Sequence, residues 1–116
     1  MERRSAPRVD APFTVTQLLE TKQSQETYFS AQGRNLSVGG MLVVTDYAVE
    51  PQSRIFTMLK LGEGADAPVV SSEGIVVHVV AQAAEYLCGV RFYDMADPDR
   101  RKLEVYLAGF SDDESA

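Results

Sequence analysis

The run from Ser72 to Gln82 constrains the fold most. Ile75, Val76, Val77, Val79 and Val80 crowd β-branched side chains into one short stretch. Such side chains lose rotamer freedom in a helix and pack well on a pleated strand. Read as a strand, the run puts Ile75, Val77 and Val79 on one face and Val76, His78 and Val80 on the other. Ala83 and Ala84 turn the chain, and Glu85 to Tyr93 returns with Leu87, Gly89, Arg91 and Tyr93 opposite Tyr86, Cys88, Val90 and Phe92. Upstream, Arg54 to Leu61 alternates cleanly, with Ile55, Thr57, Leu59 and Leu61 on one face. Phe13 to Leu19, Glu26 to Gln32 and Gly40 to Thr45 are further strand candidates. Between them lie a polar turn (Lys22 to Gln25), a loop (Asp46 to Ser53, with Pro51) and an acidic hairpin tip (Gly62 to Pro68). The expectation is an all-β chain forming a six-stranded antiparallel barrel, closed or nearly closed, which removes exposed sheet edges.

The period changes near the C-terminus. Asp97 suits an N-cap, Pro98 suits the first helical position, and Leu103, Tyr106, Leu107 and Phe110 recur at helical spacing, with Gly109 as a stop. This helix is expected to pack its apolar stripe across an open end of the barrel; the alternative use of the stripe is a homodimer contact. Pro7 and Pro12 disfavour helix and mark residues 1–12 as an extended arm, mobile without a ligand. Residues 13–110 then form one domain, and the acidic segment 111–116 a disordered tail. A chain of 116 residues buries a core without disulfides or metal. Cys88, the single cysteine, is expected to pack as a small apolar residue.

Several function classes are disfavoured. No apolar run reaches the roughly 20 residues that span a bilayer, and the start Met1-Glu2-Arg3-Arg4 lacks a signal-peptide core, so a cytoplasmic protein without membrane insertion is expected. A net charge of −6 argues against general nucleic-acid binding, and an oligonucleotide-binding barrel would need a basic, aromatic strand face. The charge is unevenly spread: residues 1–40 sum to +1 and the remainder to −7, so an anion is drawn to the N-terminal third. His78 is the sole histidine, which leaves little for a metal site or a nucleophilic pair, and it is expected to be structural or half-exposed. No Walker loop, nucleotide-binding glycine triplet or acid/base carboxylate pair stands out, so neither an enzyme nor a cofactor is expected.

The chemistry that remains is a binding loop and its counter-charge. Asn35-Leu36-Ser37-Val38-Gly39-Gly40 combines an Asx residue, a hydroxyl and two glycines, which allow close backbone approach and tolerate positive φ. Arg3, Arg4 and Arg8 supply planar forks of donors suited to phosphate oxygens or the O6/N7 edge of guanine. A run of terminal arginines without such a loop is merely a solvated charge cluster.

Together these motifs resemble the PilZ domain, a bacterial receptor module for the second messenger cyclic di-GMP. Arg4-Ser5-Ala6-Pro7-Arg8 has the form Arg-x-x-x-Arg, and Asn35 to Gly40 the form Asx-x-Ser-x-x-Gly. Gly89-Val90-Arg91-Phe92 resembles the family's closing strand and Arg100 to Leu107 its terminal helix. The resemblance implies a barrel that binds cyclic di-GMP between the arm and the loop. Arg4 and Arg8 would stack on or fork to guanine and phosphate, Asn35 would bond a guanine edge, and Ser37 would meet guanine or phosphate. Gly39 and Gly40 would leave room for the ligand, and Arg3 is associated with a stacked ligand pair. It further implies a stand-alone receptor or adaptor that signals to an unidentified effector protein. The alternative within the family is a pilus- or motility-related interaction adaptor with weak or no ligand binding.

Overall fold

The valine-rich run forms the longest strand of a single curled sheet. The structure, a computed structural model, describes residues 11–22 and 25–111. In chain order the elements are β1 (Phe13–Lys22), β2 (Gln25–Tyr28), β3 (Ala31–Leu36), β4 (Gly40–Thr45), β5 (Arg54–Leu61), β6 (Val69–Gln82), β7 (Glu85–Asp94) and α1 (Asp97–Ser111). The sheet order is β2-β1-β5-β6-β7-β4-β3, with every neighbouring pair antiparallel.

Seven strands replace the six expected from sequence. The segment from Glu26 to Gln32 is two strands, because Phe29 turns inward onto Tyr47, ring centroids 4.9 Å apart, and its N–H donates to the Leu18 carbonyl at 3.1 Å. Before that point the chain is a fully exposed ribbon on β1; after it, β3 pairs with β4. The barrel is therefore a half-barrel whose edges are β2 and β3. Curling brings Phe13 of β1 onto Gly33 of β3, where a Cβ would stand 2.3 Å from the ring.

Alternation holds within β5, where Ile55, Thr57, Leu59 and Leu61 are all buried. It fails in β6, where a bulge between Val76 and His78 shifts the register. The extra residue switches the face, so both Val76 and Val79 pack on the core while Val77 is exposed. A second bulge between Val15 and Gln17 is accommodated by two hydroxyls: buried Thr57 donates to the Gln17 carbonyl at 3.0 Å, and Thr16 to that of Met58 at 3.1 Å. Cys88 lies in this core, and burial pushes its thiol pKa up.

The helix covers the core with Leu103 and Leu107, as its spacing predicts. It starts at Asp97, with the Ala96 carbonyl accepting the Arg100 N–H at 2.9 Å, and runs through Gly109 to Ser111. Asp99 anchors it where β7 has left the β6 edge, accepting the Ser71 N–H at 3.1 Å. The Tyr106 hydroxyl donates to the Pro12 carbonyl, tying α1 to the start of β1. Tyr106→Phe should lower stability by about 0.5–1.5 kcal/mol, the usual net contribution of one hydrogen bond, read from urea unfolding.

Candidate functional site

Asn35 and Leu36 belong to β3, so the expected six-residue loop shrinks to a turn at 37–39 between β3 and β4. Leu36 is a core residue and anchors the turn from beneath. Ser37 organises it: its Oγ accepts the N–H of Gly39 at 3.2 Å and of Gly40 at 3.1 Å, while its N–H donates to the Gly40 carbonyl at 2.8 Å. The Ser37 hydroxyl, in a residue only 5% exposed, is thus engaged within the turn. Its alanine variant would leave the Gly39 and Gly40 N–H groups without that acceptor. A loss of about 1–2 kcal/mol is expected in denaturant unfolding.

The two glycines differ in purpose, and neither has a positive φ. A Cβ on Gly40 would stand 2.2 Å from the Val90 carbonyl oxygen, so Gly40 is required by the close approach of β4 and β7. A Cβ on Gly39 would meet only the Ser37 Oγ, at 4.0 Å. The Gly39 carbonyl accepts the Phe92 N–H at 2.9 Å, which ties the turn to β7.

Asn35 sits beside a bulge between Gly33 and Asn35, which leaves Arg34 exposed next to it. Its Oδ1 is buried and has no hydrogen-bond partner, alone in this among the described residues. An unpaired buried acceptor is costly, and a donor supplied from outside relieves it.

Strand register extends this face beyond what the motifs indicate. His78, Gly89, Leu42 and Asn35 form one cross-strand row, and Ile75, Arg91 and Gly40 the next. The His78 imidazole covers Gly89, where a Cβ would stand 2.3 Å from the ring. Arg91 and Arg34 are exposed and make no ion pair with any described residue. Sequence reasoning did not place His78 or Arg91 on the sheet face that carries Asn35; the alternation Val90-Arg91-Phe92 was the available signal for Arg91. Arg3, Arg4 and Arg8 lie outside the described residues.

Elsewhere, buried Glu20 accepts the Tyr47 hydroxyl at 3.0 Å, which raises the tyrosine pKa, and the Glu50 N–H at 3.4 Å. This cluster clamps the β4–β5 loop onto β1, and Lys22 pairs with Glu50 at 2.9 Å. No group of three or more His, Cys, Asp or Glu among the described residues is placed to hold a metal ion. None of their helices is long and apolar enough to cross a membrane.

A curled antiparallel sheet closed over by one C-terminal helix, with a serine-organised turn at the end of an edge hairpin, defines a one-helix half-barrel domain. Its sequence pattern matches the PilZ domain over residues 2–109, and the chain belongs to the PilZ domain family. No curated protein sequence gives a significant match. Similar solved structures include the Bacillus subtilis inhibitor of motility MotI/DgrA, at TM-score 0.70 and 17% identity over 97% of this chain and 53% of that one. The PilZ domain of Escherichia coli YcgR, solved with cyclic di-GMP, gives 0.67 and 16% over 98% of this chain and 95% of that one. The K. pneumonia MrkH complex with cyclic di-GMP gives 0.67 and 16% over 99% and 56%. The chain thus spans about half the length of MotI and MrkH. At these identities the likeness establishes the fold.

Proposed function

We propose that this chain is a receptor for cyclic di-GMP, bound on the outer face around Asn35 and the turn at Ser37. The observation that carries this reading is the unpaired, buried Oδ1 of Asn35, held beside a turn fixed by Ser37. A guanine edge carries N–H donors that suit such an acceptor. The ligand's two phosphates suit the forks of Arg4 and Arg8, with Arg91 and Arg34 adding positive potential beside the turn. Arg3 supports a stacked ligand pair. Gly40 keeps β4 against β7, and Gly39 leaves the turn open to solvent. Ser37 positions the turn beside the ligand. Contact of Arg4 and Arg8 with the ligand changes the surface offered to a protein effector, so binding becomes a signal.

A nuclear magnetic resonance titration of backbone amides tests this. Cyclic di-GMP should shift the amides of Asn35 to Gly40 and of Arg91, while those of Leu103 and Leu107 stay in place. Shifts confined to α1, or none at saturation, would contradict the site.

A further inference from the structure

The sheet face that carries Asn35 also carries a flat aromatic surface. His78, on β6, is exposed, yet its imidazole lies across β7 and is not extended into water. From the point where a Cβ on Gly89 would stand, the ring Cε1 is 2.3 Å away and both ring nitrogens are 2.8 Å away. A ring meeting Gly89 edge-on would set its nitrogens much farther back than Cε1. Here they are nearly level, so the imidazole lies face down on the glycine with its other face outward. No hydrogen bond or ion pair with a described residue holds the ring there. Glycine weakens a strand interior and marks sites of close approach, and any side chain at position 89 would lift the ring.

Strand register sets this platform at working distance from Asn35. In the row His78-Gly89-Leu42-Asn35, Gly89 is two strands from Asn35, or about 10 Å. Half-buried Leu42 fills the step between them with an apolar floor. Exposed Arg91 stands two residues along β7 from Gly89, about 7 Å away on the same face. An unpaired acceptor, an apolar floor, an open π face and a guanidinium thus share one surface. That set fits a ligand whose two bases are joined through phosphates. One base offers its edge to Asn35, and the other has a flat ring to lie on, since every base presents a π face to an aromatic side chain.

We infer, resting on the receptor reading, that His78 is the stacking platform for the second guanine of the ligand, with Gly89 as the seat of its ring. The chain has a single histidine, so one imidazole Hε1 resonance reports this contact. Cyclic di-GMP should move that resonance upfield, the direction expected beneath a stacked purine. In titration calorimetry His78→Ala should weaken binding about 5- to 100-fold. His78→Phe keeps a flat ring and should stay within about threefold of the parent chain. Both variants should keep the parent's melting temperature, because the ring lies on the surface. Binding by the parent with an unmoved Hε1 resonance overturns the inference and leaves the receptor reading standing. So does His78→Ala binding as tightly as the parent, or an equal loss in His78→Ala and His78→Phe. No binding by the parent overturns both.

Discussion

Replacing Arg8 or Arg4 by alanine is expected to weaken cyclic di-GMP binding about 10- to 150-fold, the equivalent of roughly 1.5–3 kcal/mol for a lost charge-assisted contact. The melting temperature should stay where it is. The core of the described residues is built between Ala11 and Leu107, and their strand pairings fall within it. That separation makes the test sharp, because affinity should fall without any loss of structure. Near-normal affinity in both variants would place the ligand away from residues 1–12. A fall in melting temperature to match the fall in affinity would mean that the arginines serve the fold.

Gly40→Val is expected to do the reverse and damage the fold itself. The first atom of the new side chain would stand 2.2 Å from the Val90 carbonyl oxygen and 3.3 Å from the Arg91 Cα, both backbone atoms that cannot swing aside. Separating β4 from β7 there also loosens the bond from the Phe92 N–H to the Gly39 carbonyl and the turn that Ser37 holds. Overpacking of this kind costs about 1–3 kcal/mol, and with the β7 backbone as the obstacle the upper end or beyond is expected. Gly39→Ala is the control: its Cβ enters open space without positive φ, so stability should change by only a few tenths of a kcal/mol. Equal damage from both substitutions, measured by thermal unfolding, would contradict the close-approach account.

The legible parts of this protein are those where a local pattern has one meaning. The alternation of Ile55, Thr57, Leu59 and Leu61 admits one face, and β5 buries it. Leu103 and Leu107 recur at helical spacing and pack on the core. The bulges were not legible. Among consecutive valines either face is apolar, so the switch between Val76 and His78 leaves no mark in the pattern. The break at Phe29 was hidden for a related reason, since an aromatic residue suits a strand interior and the inward turn onto Tyr47 is a long-range contact.

The site divides in the same way. Asn35, Ser37 and Gly40 were visible as a motif, but their mechanics were not. The reading of glycines as positive-φ residues fails for Gly39 and Gly40, and Gly40 is needed because of Val90, a residue distant in sequence. Positive φ occurs instead at Gln52, Ala83 and Gly62 among the described residues. His78 and Arg91 reach the Asn35 face only through the β4–β7 and β6–β7 registers, which no local rule supplies.

The most direct test of the central claim is isothermal titration calorimetry of the purified chain with cyclic di-GMP, with GMP and GTP as controls. Saturable binding by the cyclic dinucleotide alone is predicted, and a ratio near two ligands per chain would assign Arg3 to a stacked pair. No heat with cyclic di-GMP, together with an unchanged melting temperature, would contradict the receptor reading.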